Sequence, residues 1–454
     1  MRQYYIDNFK TGDFFFQGAW AFANEERTFL VSPHGTTLLI DARNALELLD
    51  QRPSDTLAFQ LLSHGLASLS TSQPLLPTNT IKPTFFIIDL TKRCNLHCLY
   101  CFRDYNQRND QTISYEEIDH IVHYIANYCD CQSIRKFHIQ PWGGEPLLEL
   151  NKIGYLQDAF KKRGLSPRIS IETNATLLTE ETARFLHERH IAVGVSIDGD
   201  PMVHNLQRPF ISSKGSFTEV VNGIHNLQKA GFSSFGTISV LTSQSIDHIS
   251  ELASYLVKEL HIWNLKFNLV RTSEDSPLAV PLEKINTFVE ELCESIVRLA
   301  EEGYPVSEGN LIERIYNLLL RKERNICKSR GCMGGRKMIS FNRSGEIFPC
   351  EMTDYSEERI GSITNPDLLG QIQEAVNKSA YFKECRIEQC NTCPWWYYCK
   401  GGCHTAIRYK KKNYEGVDDI ECRINQKIYP ILIDIILNRP YLIEKLTQHK
   451  IKLS

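Results

Sequence analysis

The sequence predicts an α/β protein in three parts, and three observations carry that reading. Six β-rich runs alternate with helix-like patterns between Thr84 and about Val270. A proline-rich stretch separates them from the residues before, and nine of the fifteen cysteines crowd between Cys327 and Cys422. A chain of 454 residues also exceeds one ordinary domain, so about three units is the natural expectation.

Residues 1–80 contain no cysteine, and residues 71–83, TSQPLLPTNTIKP, have the composition of a linker. Before it, TFLVSPHGTTLLI places two apolar runs around Pro33, His34 and Gly35, a hairpin signal. Helix-like stretches follow near 43–50 and 55–66, so 1–80 reads as a small α+β domain.

The middle part, 81–300, holds the strand candidates TFFIIDL (84–90), KFHIQPW (136–142), RISIE (168–172), AVGVSID (192–198), FGTISVL (235–241) and NLKFNLV (264–270). Ser114 with Glu117 forms a capping box, after which Ile118, Ile121, Val122 and Ile125 share one helical face. Thr179 followed by Glu180 and Glu181 marks another helix start. Alternation of this kind predicts parallel βαβ units closed fully or partly into a barrel, with chemistry at the carboxyl ends of the strands. The third part, 301–454, reads as a metal module from its clustered cysteines, and because its short apolar segments alone make a poor core, clusters are expected to supply part of its folding free energy.

Composition excludes other classes. A net charge of -3 and the lack of a basic tail argue against a nucleic-acid partner. The N-terminus MRQYYIDNFKTGDFFF has no apolar signal core, and no apolar run is long enough to span a bilayer. The expectation is a cytoplasmic protein without a membrane partner, whose clustered thiols bind metal rather than form disulfides.

TKRCNLHCLYCF gives C-x3-C-x2-C directly after the first strand, through Cys94, Cys98 and Cys101. Three thiolates so spaced hold one face of a compact cluster and leave one metal corner open. A structural zinc site is the alternative, but it wants four ligands, and His97 lies inside the loop where it can hardly close one.

This motif resembles that of the radical S-adenosylmethionine (SAM) superfamily. The resemblance implies a partial (β/α)6 TIM-type radical SAM barrel. It also implies a [4Fe–4S] cluster on Cys94, Cys98 and Cys101 whose open iron binds S-adenosyl-L-methionine. One-electron reduction then yields a 5′-deoxyadenosyl radical that abstracts hydrogen. Further segments match the family in order. Gly143-Gly144-Glu145-Pro146 resembles the stretch that binds the cofactor's amino group, and adjacent glycines let backbone approach a ligand. Thr173 and Asn174, like Ser196 and Asp198, resemble segments near ribose and carboxylate. Tyr100 would sit against adenine, and HNLQRP, with His204 and Arg208, resembles a stretch of peptide-modifying members. Each segment taken alone is also ordinary turn or packing chemistry.

Downstream, Cys390-x2-Cys393-x5-Cys399-x3-Cys403 with Cys422, together with C-x12-G-x4-C from Cys332 to Cys350, resembles the seven-cysteine SPASM domain. The resemblance implies three [4Fe–4S] clusters in all. One auxiliary cluster would use Cys327, Cys332, Cys350 and Cys403, and the other Cys390, Cys393, Cys399 and Cys422. Cys327 is the least secure ligand and Cys385 an alternative, while two structural zinc sites remain open on spacing alone. Cys129, Cys131 and Cys293 fit no motif and read as small buried hydrophobes.

Glu351 follows Cys350 where sulfatase-maturing relatives place an acidic proton acceptor, usually Asp; a solvated surface Glu is the plain alternative. Many SPASM enzymes carry a precursor-binding domain at their N-terminus, which captures a leader peptide as an added strand. The leading expectation is therefore a peptide maturase that modifies a ribosomally made precursor, forming a thioether or carbon–carbon crosslink. Its implied partners are that peptide and a reductant such as flavodoxin or ferredoxin. The alternatives are a sulfatase-maturing enzyme that oxidises Cys or Ser to formylglycine, and a noncatalytic metal scaffold.

Overall fold

The computed structural model describes residues 1–69, 80–103, 112–320, 326–353 and 356–451. Most of the expected linker at 71–83 lies outside the described residues. The N-terminal part forms two antiparallel sheets from β1 (Arg2–Ile6), β2 (Phe9–Thr11), β3 (Phe14–Phe16), β4 (Ala19–Ala23), β5 (Arg27–Val31), β6 (Thr37–Asp41) and β7 (Ala67–Ser68). Their orders are β1-β4-β5-β6 and β2-β3-β7. The expected hairpin is β5–β6. Its Ser32 hydroxyl accepts the amides of His34 and Thr36 at 3.2 and 3.0 Å, and Gly35 turns the chain at φ 69°.

Period-2 alternation splits this larger sheet into two working faces. Ala19, Ala21, Leu30, Leu38 and Ile40 pack with Leu48, Leu57 and Leu61 of the helices Ala42–Leu49 and Asp55–Ser63. Phe22, Phe29 and Val31 point the other way, into the main core of the molecule. There Phe22 stacks on Trp395 at 5.3 Å, and Trp395 stacks on Tyr429 at 4.6 Å.

The six expected strands form as β8 (Phe85–Thr91), β9 (His138–Gly143), β10 (Arg168–Thr173), β11 (Ala192–Ser196), β12 (Gly236–Leu241) and β13 (Asn264–Leu269), each paired in parallel with the next. Four more strands join them: β14 (Ser307–Glu308), β15 (Met338–Phe341), β16 (Glu346–Phe348) and β17 (Gly361–Ser362). The order is β14-β13-β12-β11-β10-β9-β8-β15-β16-β17, an open sheet in which β15 lies parallel to β8. The cysteine-rich part thus supplies the strand beside the first strand of the barrel.

Phe86, Ile88, Ile139, Ile169, Ile171, Val193, Val195 and Leu265 belong to the core shared with the surrounding helices. Alternate positions, among them Ile87, Asp89, Gln140, Trp142, Glu172 and Lys266, consequently face the concave side. The capping box forms as the spacing predicts: Glu117 N donates to Ser114 Oγ at 3.1 Å, and Ser114 N donates to the Glu117 carboxylate at 2.7 Å. Ile118, Ile121, Val122 and Ile125 behind it are all buried. Thr179 caps its helix by accepting the amide of Thr182 at 3.1 Å. Among the described residues no helix is long and apolar enough to cross a membrane.

Candidate active site

Cys94, Cys98 and Cys101 lie on the loop that leaves β8. The amides of His97 and Leu99 donate to the carbonyls of Pro209 and Gln207 at 2.7 and 2.9 Å, and Leu96 bridges Phe210 in antiparallel register. The loop is thereby zipped to residues 207–211, with Cys98 opposite Arg208. Its other side rests on the glycine pair. Gly144 N donates to Thr91 O and Glu145 N to Arg93 O, both at 2.8 Å. A Cβ on Gly144 would lie 2.1 Å from Arg93 O, and one on Gly143 2.5 Å from Thr91 O. Only glycine permits this approach.

Glu145 is 1% exposed, and hydrogen bonds within the fold occupy its carboxylate. One oxygen accepts Leu147 N at 3.0 Å and Thr173 Oγ1 at 2.7 Å; the other accepts Asn174 N at 2.8 Å. Thr173 and Asn174 are therefore held by Glu145 at the end of β10. Asn174 Nδ2 in turn donates to Asn95 Oδ1 at 2.9 Å and points at Cys94 Sγ, 3.9 Å away. Leu96 N lies 3.5 Å from the same sulfur.

Tyr100, Asp198 and Arg208 form one buried cluster. The Tyr100 hydroxyl donates to Asp198 Oδ2 at 2.5 Å and accepts from Arg208 Nη1, which stands 3.8 Å from that carboxylate oxygen. Asp198 Oδ1 accepts Val240 N at 2.9 Å. His204, fully buried, accepts Asp198 N through Nδ1 at 3.3 Å, and its Nε2 meets Ser216 Oγ at 3.1 Å. Burial pushes the Cys98 thiol up to about 12, with Arg208 as a counterweight and with Cys94 and Cys101 in the same surroundings. Ser196 ends β11 opposite Ile238.

A second group of charges lines the concave side of the sheet. Burial and the neighbouring charge of Glu351 push the Glu172 carboxyl up to about 7, against Lys266 and a hydrogen bond with Gln140. Glu172 of β10 and Lys266 of β13 thus act on one another although two strands lie between them in the sheet. Arg271 reaches Met352 Sδ at 2.9 Å and lies in the fields of Cys403, Cys327 and Glu351. A cavity of about 340 Å³ opens beside them, lined by Asp89, Phe102, Arg103, Ser340, Glu351 and Thr353 among others. Asp89 and Arg103 pair at 2.9 Å within it, and one Glu351 carboxylate oxygen is buried there with no hydrogen-bond partner among the described residues. Gln140, Lys266 and Arg271 were not candidates on sequence grounds, and Glu172 entered only as the first residue of the segment Glu172-Thr173-Asn174 that resembles a cofactor-side stretch. A polar residue at every second position of HIQPW, RISIE and NLKF was the available signal.

The C-terminal cysteines gather in two sets. Cys327 lies in the fields of Cys332 and Cys403, as does Cys350. Cys422 lies in the fields of Cys393 and Cys390, and Cys399 in that of Cys422. Cys385 also lies in the field of Cys332, but its thiol donates to Tyr414 O at 3.4 Å and Lys383 O at 3.7 Å. Among the described residues no three His, Cys, Asp or Glu side chains converge as a site for one metal ion.

Residues 88–256 match the sequence model of the Radical SAM superfamily. An uncharacterized protein of Methanocaldococcus jannaschii is 25% identical over 66% of this chain and 96% of its own length. A cysteine-type anaerobic sulfatase-maturating enzyme of Clostridium perfringens is 26% identical, over 68% and 85%. The mycofactocin maturase of Mycobacterium tuberculosis is 22% identical, over 74% and 81%. Among solved structures, native anSMEcpe with bound AdoMet and Kp18Cys peptide superposes with TM-score 0.68 at 23% identity, covering 79% of this chain and 100% of that one. Streptococcus suis SuiB bound to precursor peptide SuiA superposes with TM-score 0.56 at 14% identity, covering 91% and 99%. The shared fold and the matched cysteine motif define the class: the chain carries a radical SAM domain. More particularly, it is a radical SAM enzyme related to maturases that act on peptides or proteins.

Proposed function

We propose that this enzyme is a SPASM-type peptide maturase of the cytoplasm, in which residues 1–80 recognise a precursor peptide, 81–300 generate the radical and 301–454 hold auxiliary clusters. The observation that carries the reading is the cavity between Phe102, next to Cys101, and Glu351, next to Cys350. A peptide residue seated there lies between the radical-generating loop and the first C-terminal cysteine set.

Cys94, Cys98 and Cys101 would hold the catalytic [4Fe–4S] cluster, which the loop geometry fits: three grouped thiols above a glycine cradle that any Cβ would fill. Cys327, Cys332, Cys350 and Cys403 would hold one auxiliary cluster, and Cys390, Cys393, Cys399 and Cys422 the other. When bound, these groups and S-adenosylmethionine supply a 5′-deoxyadenosyl radical for hydrogen abstraction and acceptors for the electron released. Glu145 would hold Thr173 and Asn174 in place beside the cofactor, and Asp198 and Arg208, tied to Tyr100 of the cysteine loop, would close the site from the segments that follow β11. Glu351 takes a proton from the substrate residue through its unpartnered oxygen.

The N-terminal sheet supports the peptide reading. Its face with Phe22 and Phe29 is covered by the C-terminal module, while β1 forms one edge with Arg2, Gln3 and Tyr5 exposed. A leader peptide adds to β1 as a further strand. A flavodoxin or ferredoxin delivers the electron. Formylglycine formation in a sulfatase is the second reading, favoured by cysteine-type and serine-type sulfatase-maturating relatives at 26% and 24% identity. Mass spectrometry of a small peptide encoded beside this gene, co-expressed with the enzyme, tests the proposal. A loss of two hydrogens per crosslink supports it; an unmodified peptide, with conversion of a sulfatase Cys or Ser to formylglycine instead, overturns it.

A further inference from the structure

The radical-generating loop and residues 207–211 form a short antiparallel ribbon. Because the amides of residues 97 and 99 bond the carbonyls of residues 209 and 207, Cys98 and Arg208 occupy directly opposed positions, where side chains of a ribbon meet. Arg208 is 7% exposed and shares its surroundings with Cys98 and Tyr100. It does not close on Asp198 as a two-pronged pair. One nitrogen serves the Tyr100 hydroxyl, the distance to the carboxylate is 3.8 Å, and Nε has no partner among the described residues. An arginine that served only to neutralise Asp198 would dock two nitrogens on two oxygens at shorter range. The guanidinium, whose field also reaches the buried Glu145 carboxylate, is therefore left without a closed ion pair and lies beside Cys98.

We propose that Arg208 is a positioning and charge-setting residue for the catalytic cluster, raising its reduction potential by holding a fixed positive charge against the Cys98 ligand. This rests on the radical SAM reading of the motif and goes beyond cofactor binding. A low-potential one-electron donor adds one electron to the cluster and no proton, so the reduced cluster is one unit more negative. A fixed cation nearby favours that state, and a fixed anion opposes it; net charge is among the known levers on such clusters. Asp198 is held at arm's length by Tyr100 and offsets part of the effect. The two residues accordingly act with opposite sign.

The test is a redox titration of the reconstituted full-length enzyme before any S-adenosylmethionine is added, followed by electron paramagnetic resonance. The catalytic cluster is the spectral component missing from a protein in which Cys94, Cys98 and Cys101 are all Ala. Arg208→Gln should cut the ratio of reduced to oxidised cluster at fixed potential about tenfold, equivalent to about 59 mV for one electron. Arg208→Lys should stay near wild type, and Asp198→Asn should move the ratio upward. An unchanged midpoint in Arg208→Gln, or a downward shift in Asp198→Asn, overturns the inference, and the second variant decides if the first fails to hold iron. If the wild-type protein itself shows no such component, the radical SAM reading fails instead.

Discussion

The Tyr398 hydroxyl donates to the carbonyl of Gly35 at 2.8 Å, joining the N-terminal hairpin to the cysteine-rich module. The contact is close on both sides of the turn, since a Cβ on Gly35 would lie 2.0 Å from the Tyr397 ring. Tyr398 also stacks on Tyr429 at 5.4 Å, and Cys399 follows it in the chain. The N-terminal sheet and the second cysteine set thus share one support.

Tyr398→Phe should lower the denaturant midpoint, because a buried carbonyl loses its donor at a cost of about 1 to 2 kcal/mol. Limited proteolysis should also release the N-terminal part more readily. An unchanged midpoint with unchanged cleavage would show that the two parts do not depend on this contact.

Gly144→Ala should abolish 5′-deoxyadenosine formation while leaving far-ultraviolet circular dichroism near wild type. The added methyl must displace the Arg93 carbonyl, 2.1 Å away, and with it the start of the cysteine loop. Full activity in this variant would remove the glycine cradle from the account of the site.

The cysteine sets predict iron counts. Cys332→Ala and Cys403→Ala should each lower reconstituted iron by up to about four per chain, one cubane cluster. Cys327→Ala should weaken the same cluster, whereas Cys385→Ser should leave iron unchanged, since its thiol is engaged with two backbone carbonyls. Iron loss in Cys385→Ser with none in Cys327→Ala would exchange their roles.

Glu172 gives a pH signature. Its carboxyl, pushed up to about 7 by burial and by Glu351, binds a proton more tightly folded than unfolded. Between the ordinary carboxyl range and about pH 7 the folded state holds more protons, so stability falls as pH rises, by at most about 1.4 kcal/mol per unit. Glu172→Gln should flatten that slope in urea unfolding between about pH 5.5 and 7.5. A slope equal to wild type would place the titration elsewhere.

How much of this was legible in the chain depends on the range of the signal. All six parallel strands and the caps at Ser114 and Thr179 follow local rules, and each forms within a residue or two of its expected place. β1 to β4 escaped because FKTGDFFF and AWAFA give no clean alternation, their burial being shared between two sheets. The Cys98–Arg208 opposition is invisible in one dimension, because it depends on two loops zipping together. Glu145 was legible as a site residue, but not that its carboxylate would be engaged by Thr173 and Asn174. Such second partners are fixed only when the strands are laid side by side.

The pairing of β8 with β15 sets a timetable for synthesis. Phe86 of the first barrel strand aligns with Ile339, so one edge of β8 waits for a strand encoded far downstream. At about 5–20 residues per second, the ribosome needs on the order of ten seconds or more to deliver it. During that interval the strand that leads into Cys94 has an open edge, a template for pairing with other chains. Protection of that edge is accordingly needed until residues 338–341 arrive, long after the first cysteine motif has emerged.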